Sequence, residues 1–332
     1  MASQKKFSLY KIFSGDRDGK GVKKTDKHPR TFRYFFKFFW NNIGLIFTIN
    51  MYLILGNFPI LIAMFGLTGT LNQHVSVPTS PLFGVFHGAA QLGGYNPATL
   101  AQFGIFGMQE TVSVMTLGTK ILFACGLLTL FTFGIVNVGT AYIIRNVVKG
   151  EPIFIWDDFW YAIRKNLKQG MIYGVIDLAM LAMIGYDLIL YFTSLLQYGK
   201  IINGVIFGLM LIVAMLYTCM RFYIYIMMVT FDLSIFKLFK NSFIFALIGM
   251  KRNIVAFFGI VFVLLINYSL INVFFPLGIM MPFIITPAAI EFMGIYAAYP
   301  KMKEIMIDPY YKSDMPNAEA IEEIEPIFHD QT

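Results

Sequence analysis

The sequence predicts an all-α protein, a polytopic membrane helical bundle of about six transmembrane helices with three amphipathic helices at the cytoplasmic interface. Three observations predict it. With 57% hydrophobic and 14% charged residues and a mean hydropathy of +0.66, the chain has too few charges to cover a water-facing surface. Its apolar runs at 43–66, 118–144, 170–196, 201–230, 254–275 and 277–299 each approach or exceed the roughly 20 residues that cross the hydrocarbon core as a helix. Finally, the segments 33–41, 158–166 and 232–241 share one design. Each is aromatic or amphipathic and rich in Lys or Arg, ends on Asn, and precedes a long apolar run.

Spacing turns that third observation into a repeat. From Asn166 to Asn241 is 75 residues, and Asn41 to Asn166 is 125, which becomes about 75 once 67–116 is set aside as an insertion. A threefold pseudo-repeat of interfacial helix plus membrane hairpin follows. The chain then divides into a basic cytoplasmic extension at 1–30, a membrane domain at 31–300 carrying the outward-facing insertion, and an acidic cytoplasmic tail at 301–332. Pro276, Pro282 and Pro287 interrupt the last apolar stretch, leaving either two crossings or a crossing followed by a broken helix.

Orientation is read from the cations. Residues 1–42, 145–169, 231–253 and 300–332 hold 23 Lys and Arg, whereas the connections on the opposite side hold only Lys120 and Lys200. That bias puts both termini in the cytoplasm of a multi-pass cell-membrane protein. Residues 1–30 lack the short apolar core of a cleavable signal peptide, so the first span is expected to act as the targeting signal. A net charge of +7 concentrated beside the bilayer points to anionic lipid headgroups as partners, and not to nucleic acid. Cys125 and Cys219 fall within predicted spans and read as buried thiols without a disulfide framework.

Segment 157–169 is the most legible interfacial helix. At 100° per residue, Trp156, Phe159, Trp160, Ile163 and Leu167 share one stripe, with Asp157, Asp158, Arg164, Lys165 and Lys168 opposite. Asp157 or Asp158 suits its amino end, and the cations suit its carboxyl end and lipid phosphates. Two roles stay open for it, a lipid anchor and a partner-docking helix using Phe159, Trp160, Arg164, Lys165 and Lys168. Segment 31–41 repeats the theme with Arg33 and Lys37 amid an aromatic belt.

Four ionisable residues lie inside predicted spans: Asp177, Asp187, Arg221 and Glu291. Each is costly there unless paired or hydrated. Asp177, Arg221 and Glu291 fall at similar depth, about 10–14 Å from the cytoplasmic face at 1.5 Å per residue, so Asp177 and Arg221 are expected to pair. Asp187 lies nearer the outer face.

His74 and His87 in the insertion are 13 residues apart, without the spacing or further ligands of a metal site. No metal or cofactor is therefore expected. The chain has no nucleophile elbow, no paired-His zinc helix and no phosphate-cradling Gly-Lys-Ser/Thr loop, which argues against an enzyme or a nucleotide-driven motor. The stretch 313–332 carries six acids and no Lys or Arg, the composition of a solvated tail or of a contact for the basic amino-terminal segment.

Lys149, Gly150, Glu151 and Pro152, then Asp158, Phe159 and Trp160, then 165–169, and later Arg221, Phe222 and Tyr223 with 231–234, Lys240 and Asn241, resemble the YesL-like family of bacterial integral membrane proteins. That family is a domain of unknown function. Asn57, Pro59 and 139–142 resemble family positions too. The resemblance covers roughly 31–66 and 117–300, and the amino-terminal extension, the insertion and the acidic tail depart from it. It implies a carbohydrate-uptake context. Two functional classes stand: a non-enzymatic accessory or scaffold component that contacts ABC importer subunits, and a stand-alone permease or channel whose path is marked by Asp177, Arg221 and Glu291. Few polar residues line the spans, which favours the first.

Overall fold

The computed structural model describes residues 32–93 and 96–309. The basic extension at 1–30 and nearly all of the acidic tail lie outside the described residues. The chain divides into two compact units, 1–44 and 45–332.

In the first unit, α1 (Phe32–Asn41) is a short aromatic helix. Tyr34 stacks on Phe38 at 6.0 Å and Phe35 lies 6.1 Å from Phe39, pairs that the one-turn spacing brings together. Asn42 breaks the helix, its Nδ2 donating to Phe38 O at 2.8 Å. α2 (Ile43–Gly56) begins at the boundary between the units.

The second unit is a helical bundle. After α2 come α3 (Phe58–Leu67) and the insertion, and then α6 (Leu117–Gly126) and α7 (Thr129–Lys149). α8 (Ile155–Tyr198), α9 (Ile201–Thr230), α10 (Ile235–Ile248) and α11 (Met250–Val273) follow. α12 (Phe275–Ile284) and α13 (Thr286–Met302), with a π-helical turn at Lys303–Ile307, close the described chain. The segments Leu117–Lys149, Ile155–Tyr198, Ile201–Thr230 and Met250–Val273 are each long and apolar enough to cross a membrane, and two bent pairs raise the number to six. This is a multi-pass membrane bundle.

The insertion departs from an all-helical chain. β1 (Gln73–Pro78) and β2 (Gln109–Val114) pair antiparallel, with Gln73 opposite Val114 and Pro78 opposite Gln109. Between them lie α4 (Phe83–Gly93) and α5 (Pro97–Phe106). Both strands are exposed along their whole length, so 67–116 is an elaborated cap outside the bundle.

α7 and α8 make the tightest helix contact. Gly134 on α7 meets Gly170 and Gly174 on α8 backbone to backbone, and a Cβ on Gly134 would overlap the Gly170 carbonyl and the Gly174 Cα. Gly170 and Gly174 are one turn apart, the small-residue spacing that lets membrane helices approach closely. α8 kinks at Asn166 (φ −115°, ψ 18°), where Asn166 Nδ2 donates to Ala162 O at 3.1 Å.

The repeat is therefore real in outline and shifted in detail. A shorter helix, a break and a longer apolar helix recur in the two parts of α8 and in α10 to α11, whereas α1 is followed by α2, whose apolar run itself ends after 14 residues. The first break is at Asn42, not Asn41, and Asn241 lies in the middle of α10, whose break comes at Gly249. Asn241 misled because α10 continues to bury Ser242, Phe245 and Ala246 beyond it, and that burial holds the helix together.

Three of the six expected crossings are discontinuous, 118–144 among them, which turns at Leu127 and Leu128 between α6 and α7. The run 43–66 breaks between α2 and α3 at Asn57, two residues before Pro59. α12 and α13 meet at a 50° bend, because Pro282 and Pro287 remove backbone donors there. Asn50, fully buried on α2, closes that gap: its Nδ2 donates to Pro282 O at 3.1 Å and Phe283 O at 2.7 Å, and its Oδ1 accepts from Ala288 N at 3.0 Å. The break is thus satisfied by a neighbouring helix, as backbone at membrane depth requires.

Candidate functional site

Two polar arrangements stand out, one buried and one exposed. The buried one joins α7, α8 and α9. Arg221 Nε donates to Asp177 Oδ2 at 2.7 Å, while Tyr217 OH donates to Asp177 Oδ1 at 2.8 Å and Tyr225 OH to Asp177 Oδ2 at 2.7 Å. Arg221 Nη2 donates to Asn137 Oδ1 at 2.9 Å, and Asn137 Nδ2 in turn donates to Phe133 O at 2.7 Å. The guanidinium lies 5.5 Å from the Phe133 ring centre and 5.3 Å from that of Tyr225, a cation–π setting. Asp177 is wholly buried, and two hydroxyl donors and one cation satisfy it. Tyr217, Arg221 and Tyr225 recur every four residues on α9, one face of the helix.

One turn along α7 from Asn137, Thr140 Oγ1 lies 2.9 Å from Glu291 Oε1 on α13. Glu291 is buried too. Asp187 is half-buried, farther along α8, and takes no part in these contacts. The three ionisable groups expected at one depth thus gather around Asn137 and Thr140.

The exposed arrangement is the first segment of α8. Trp156, Asp157, Trp160, Tyr161, Arg164 and Lys165 line an open groove of about 560 Å³. Trp156 is 61% exposed and Tyr161 51%. Lys165 lies over the Tyr161 ring at 5.8 Å, and Trp156 meets Trp160 edge to face at 5.8 Å. Asp158 Oδ2 accepts from Phe154 N at 2.9 Å, so of the two acids offered for the amino end, Asp158 closes the first turn.

The face opposite the groove is anchored in the protein. Phe159, Ala162 and Ile163 are buried, Phe159 stacking on Tyr52 at 4.6 Å and lying against Gly139. This corrects the placement of Phe159 among partner-docking residues and the reading of one apolar stripe turned toward lipid. The wheel is right, but it splits between protein and surroundings: Phe159 and Ile163 turn in, Trp156 and Trp160 out. Lys168 is exposed beyond the kink and does not line the groove.

Arg145, one of the cations assigned to the bilayer surface, has a structural task. Its Nη1 donates to Val229 O at 2.8 Å and its Nε and Nη2 to Asn146 Oδ1 at 3.1 and 2.8 Å, placing positive charge at the carboxyl end of α9. Asn137, Tyr217, Tyr225, Thr140 and Asn50 were missed by sequence reasoning. The four-residue spacing of Tyr217, Arg221 and Tyr225 was a readable signal. Nothing in the sequence singles out Asn50.

A family model described as a protein of unknown function, DUF624, matches residues 117–188. The match spans α6, α7 and most of α8, and so includes Asn137, Thr140, Asp177 and the whole exposed groove. Comparison with curated proteins and with solved structures yields no match.

Proposed function

We propose that this protein is a non-enzymatic accessory or scaffold component of a bacterial carbohydrate-uptake system of ABC type, holding an importer subunit on the first segment of α8. One observation carries this reading. A rigid helix, fastened through Phe159, Ala162 and Ile163, presents two Trp, a Tyr and two cations in an open groove. Exposed Trp, Tyr and Arg side by side on one helix face have the composition of binding hot spots. The Lys and Arg distribution assigns this end to the cytoplasm, where importer subunits and anionic headgroups are both within reach.

The DUF624 match over 117–188 accords with the YesL-like resemblance, and that resemblance supplies the carbohydrate context. The buried network supports an accessory over a permease. Asp177 and Arg221 are bound to each other and to Tyr217, Tyr225 and Asn137.

The test is co-purification in mild detergent followed by mass spectrometry, comparing the natural chain with Trp160→Ala/Lys165→Ala at equal membrane level. Importer subunits are expected with the natural chain and depleted at least tenfold with the variant. Undiminished recovery of every partner removes the docking function from this groove.

A further inference from the structure

Glu291 differs from Asp177 in one respect: its carboxyl group is only half partnered. Thr140 Oγ1 lies 2.9 Å from Oε1, and Oε2 is buried with no hydrogen-bond partner among the described residues. Glu291 is 6% exposed and Thr140 wholly buried. A buried polar atom without a partner calls for an occupant or a role.

The surroundings hold further buried oxygens without partners among the described residues. Thr129, Thr132, Val136 and Thr140 share one face of α7 by their spacing, and Thr129 Oγ1 and Thr132 Oγ1 are likewise buried without partners among the described residues. Gly56 of α2 lies against Val136, and the neighbouring Asn57 has an unpartnered Oδ1. On the far side, Asn50 bonds to Ala288 N, one turn before Glu291 and just past the break between α12 and α13. Unpaired oxygens thus recur along the face of α7 that carries Thr140, and the carboxyl group at its end lies beside a discontinuous helix, the setting in which membrane proteins place ion sites.

We propose that Glu291 is a reversible proton-binding site, its free oxygen Oε2 taking the proton. A hydronium ion gives its proton to Oε2, leaving water and a neutral carboxylic acid; release returns the proton to water and the negative charge to the carboxylate. The Thr140 hydroxyl donates to Oε1 in both states, at 2.9 Å, so the proton is taken up and released at Oε2 and Oε1 is the carbonyl oxygen of the neutral acid. The charged groups facing the site are few. α9 brings Arg221, paired with Asp177 of α8, and α7 brings Arg145, bound to Val229 O. α11 brings Arg252, which donates to Tyr296 O at 3.2 Å; α12 brings no charged residue.

Infrared difference spectroscopy of the full chain in lipid nanodiscs, acidified against alkaline, tests this. A protonated-carboxyl carbonyl band is expected to rise on acidification, to vanish in Glu291→Gln, and to persist but shift in Thr140→Val. No pH-dependent band in the natural chain, or a band that Glu291→Gln leaves intact, overturns the assignment. Should Glu291→Gln not fold, an unshifted band in Thr140→Val overturns it instead. A band that moves when sodium replaces potassium at constant pH assigns the site to a metal cation and equally overturns the proton.

Discussion

Arg221 shows how one cation is kept inside an apolar bundle. Its Nε holds Asp177, its Nη2 holds Asn137, and the Phe133 and Tyr225 rings flank it. Removing either partner leaves the other charge buried, at about 3–5 kcal/mol, whereas removing both charges together is far milder. Arg221→Leu is therefore expected to lower the detergent unfolding midpoint strongly, and Asp177→Asn/Arg221→Leu to regain more than half of the loss. Additive losses around that cycle would show that the two residues are not coupled. The pairing was legible in the sequence, because few charged residues fall in the spans and an unpaired one is costly. Of its uncharged members only Tyr217 and Tyr225, four residues either side of Arg221, left a signal. Tyr and Asn occur throughout the apolar runs, and only the rotation of each helix decides which of them face Asp177.

At the scale of elements, the broken helices are the informative feature. Pro282 and Pro287 predict an interruption, and Asn50, more than 230 residues away in sequence, makes it tolerable. Asn50→Leu leaves Pro282 O, Phe283 O and Ala288 N without their partner, each worth about 1–3 kcal/mol when buried. The expected result is a lower unfolding midpoint together with faster amide hydrogen exchange confined to 282–290. Unchanged exchange there would mean that α12 and α13 hold their bend without α2. The α8 kink has a local cause by contrast, since Asn166 reaches its acceptor one turn back; that is why 158–166 was read correctly as a unit, while Asn241, inside a helix held by tertiary burial, was not a boundary.

For the whole molecule, the six crossings expected from the sequence would put the insertion on one side and the Lys- and Arg-rich connections on the other. Single cysteines at Ser80 and Ser313, with Cys125 and Cys219 replaced by Ala, are expected to respond oppositely to a membrane-impermeant maleimide. Ser80→Cys should be labelled in intact cells and Ser313→Cys only after lysis. The reverse pattern would invert the assigned orientation and move the α8 groove to the outer face, away from any cytoplasmic subunit.

Composition and the length of the apolar runs by themselves determined a helical membrane bundle, because a bilayer admits few ways to satisfy a backbone and hydropathy reports directly on them. The amphipathic character of 157–169 and the need to pair Asp177 with Arg221 were likewise written in local pattern and charge scarcity. Only the tertiary structure decided that Phe159 turns inward onto Tyr52, that Gly134 meets Gly170 and Gly174, that Asn50 joins α12 to α13, and that Glu291 keeps one oxygen unpartnered. Each depends on how a helix is rotated against its neighbours. In a chain apolar on almost every face, the hydrophobic pattern carries little information about that rotation, and close packing at small residues sets it instead.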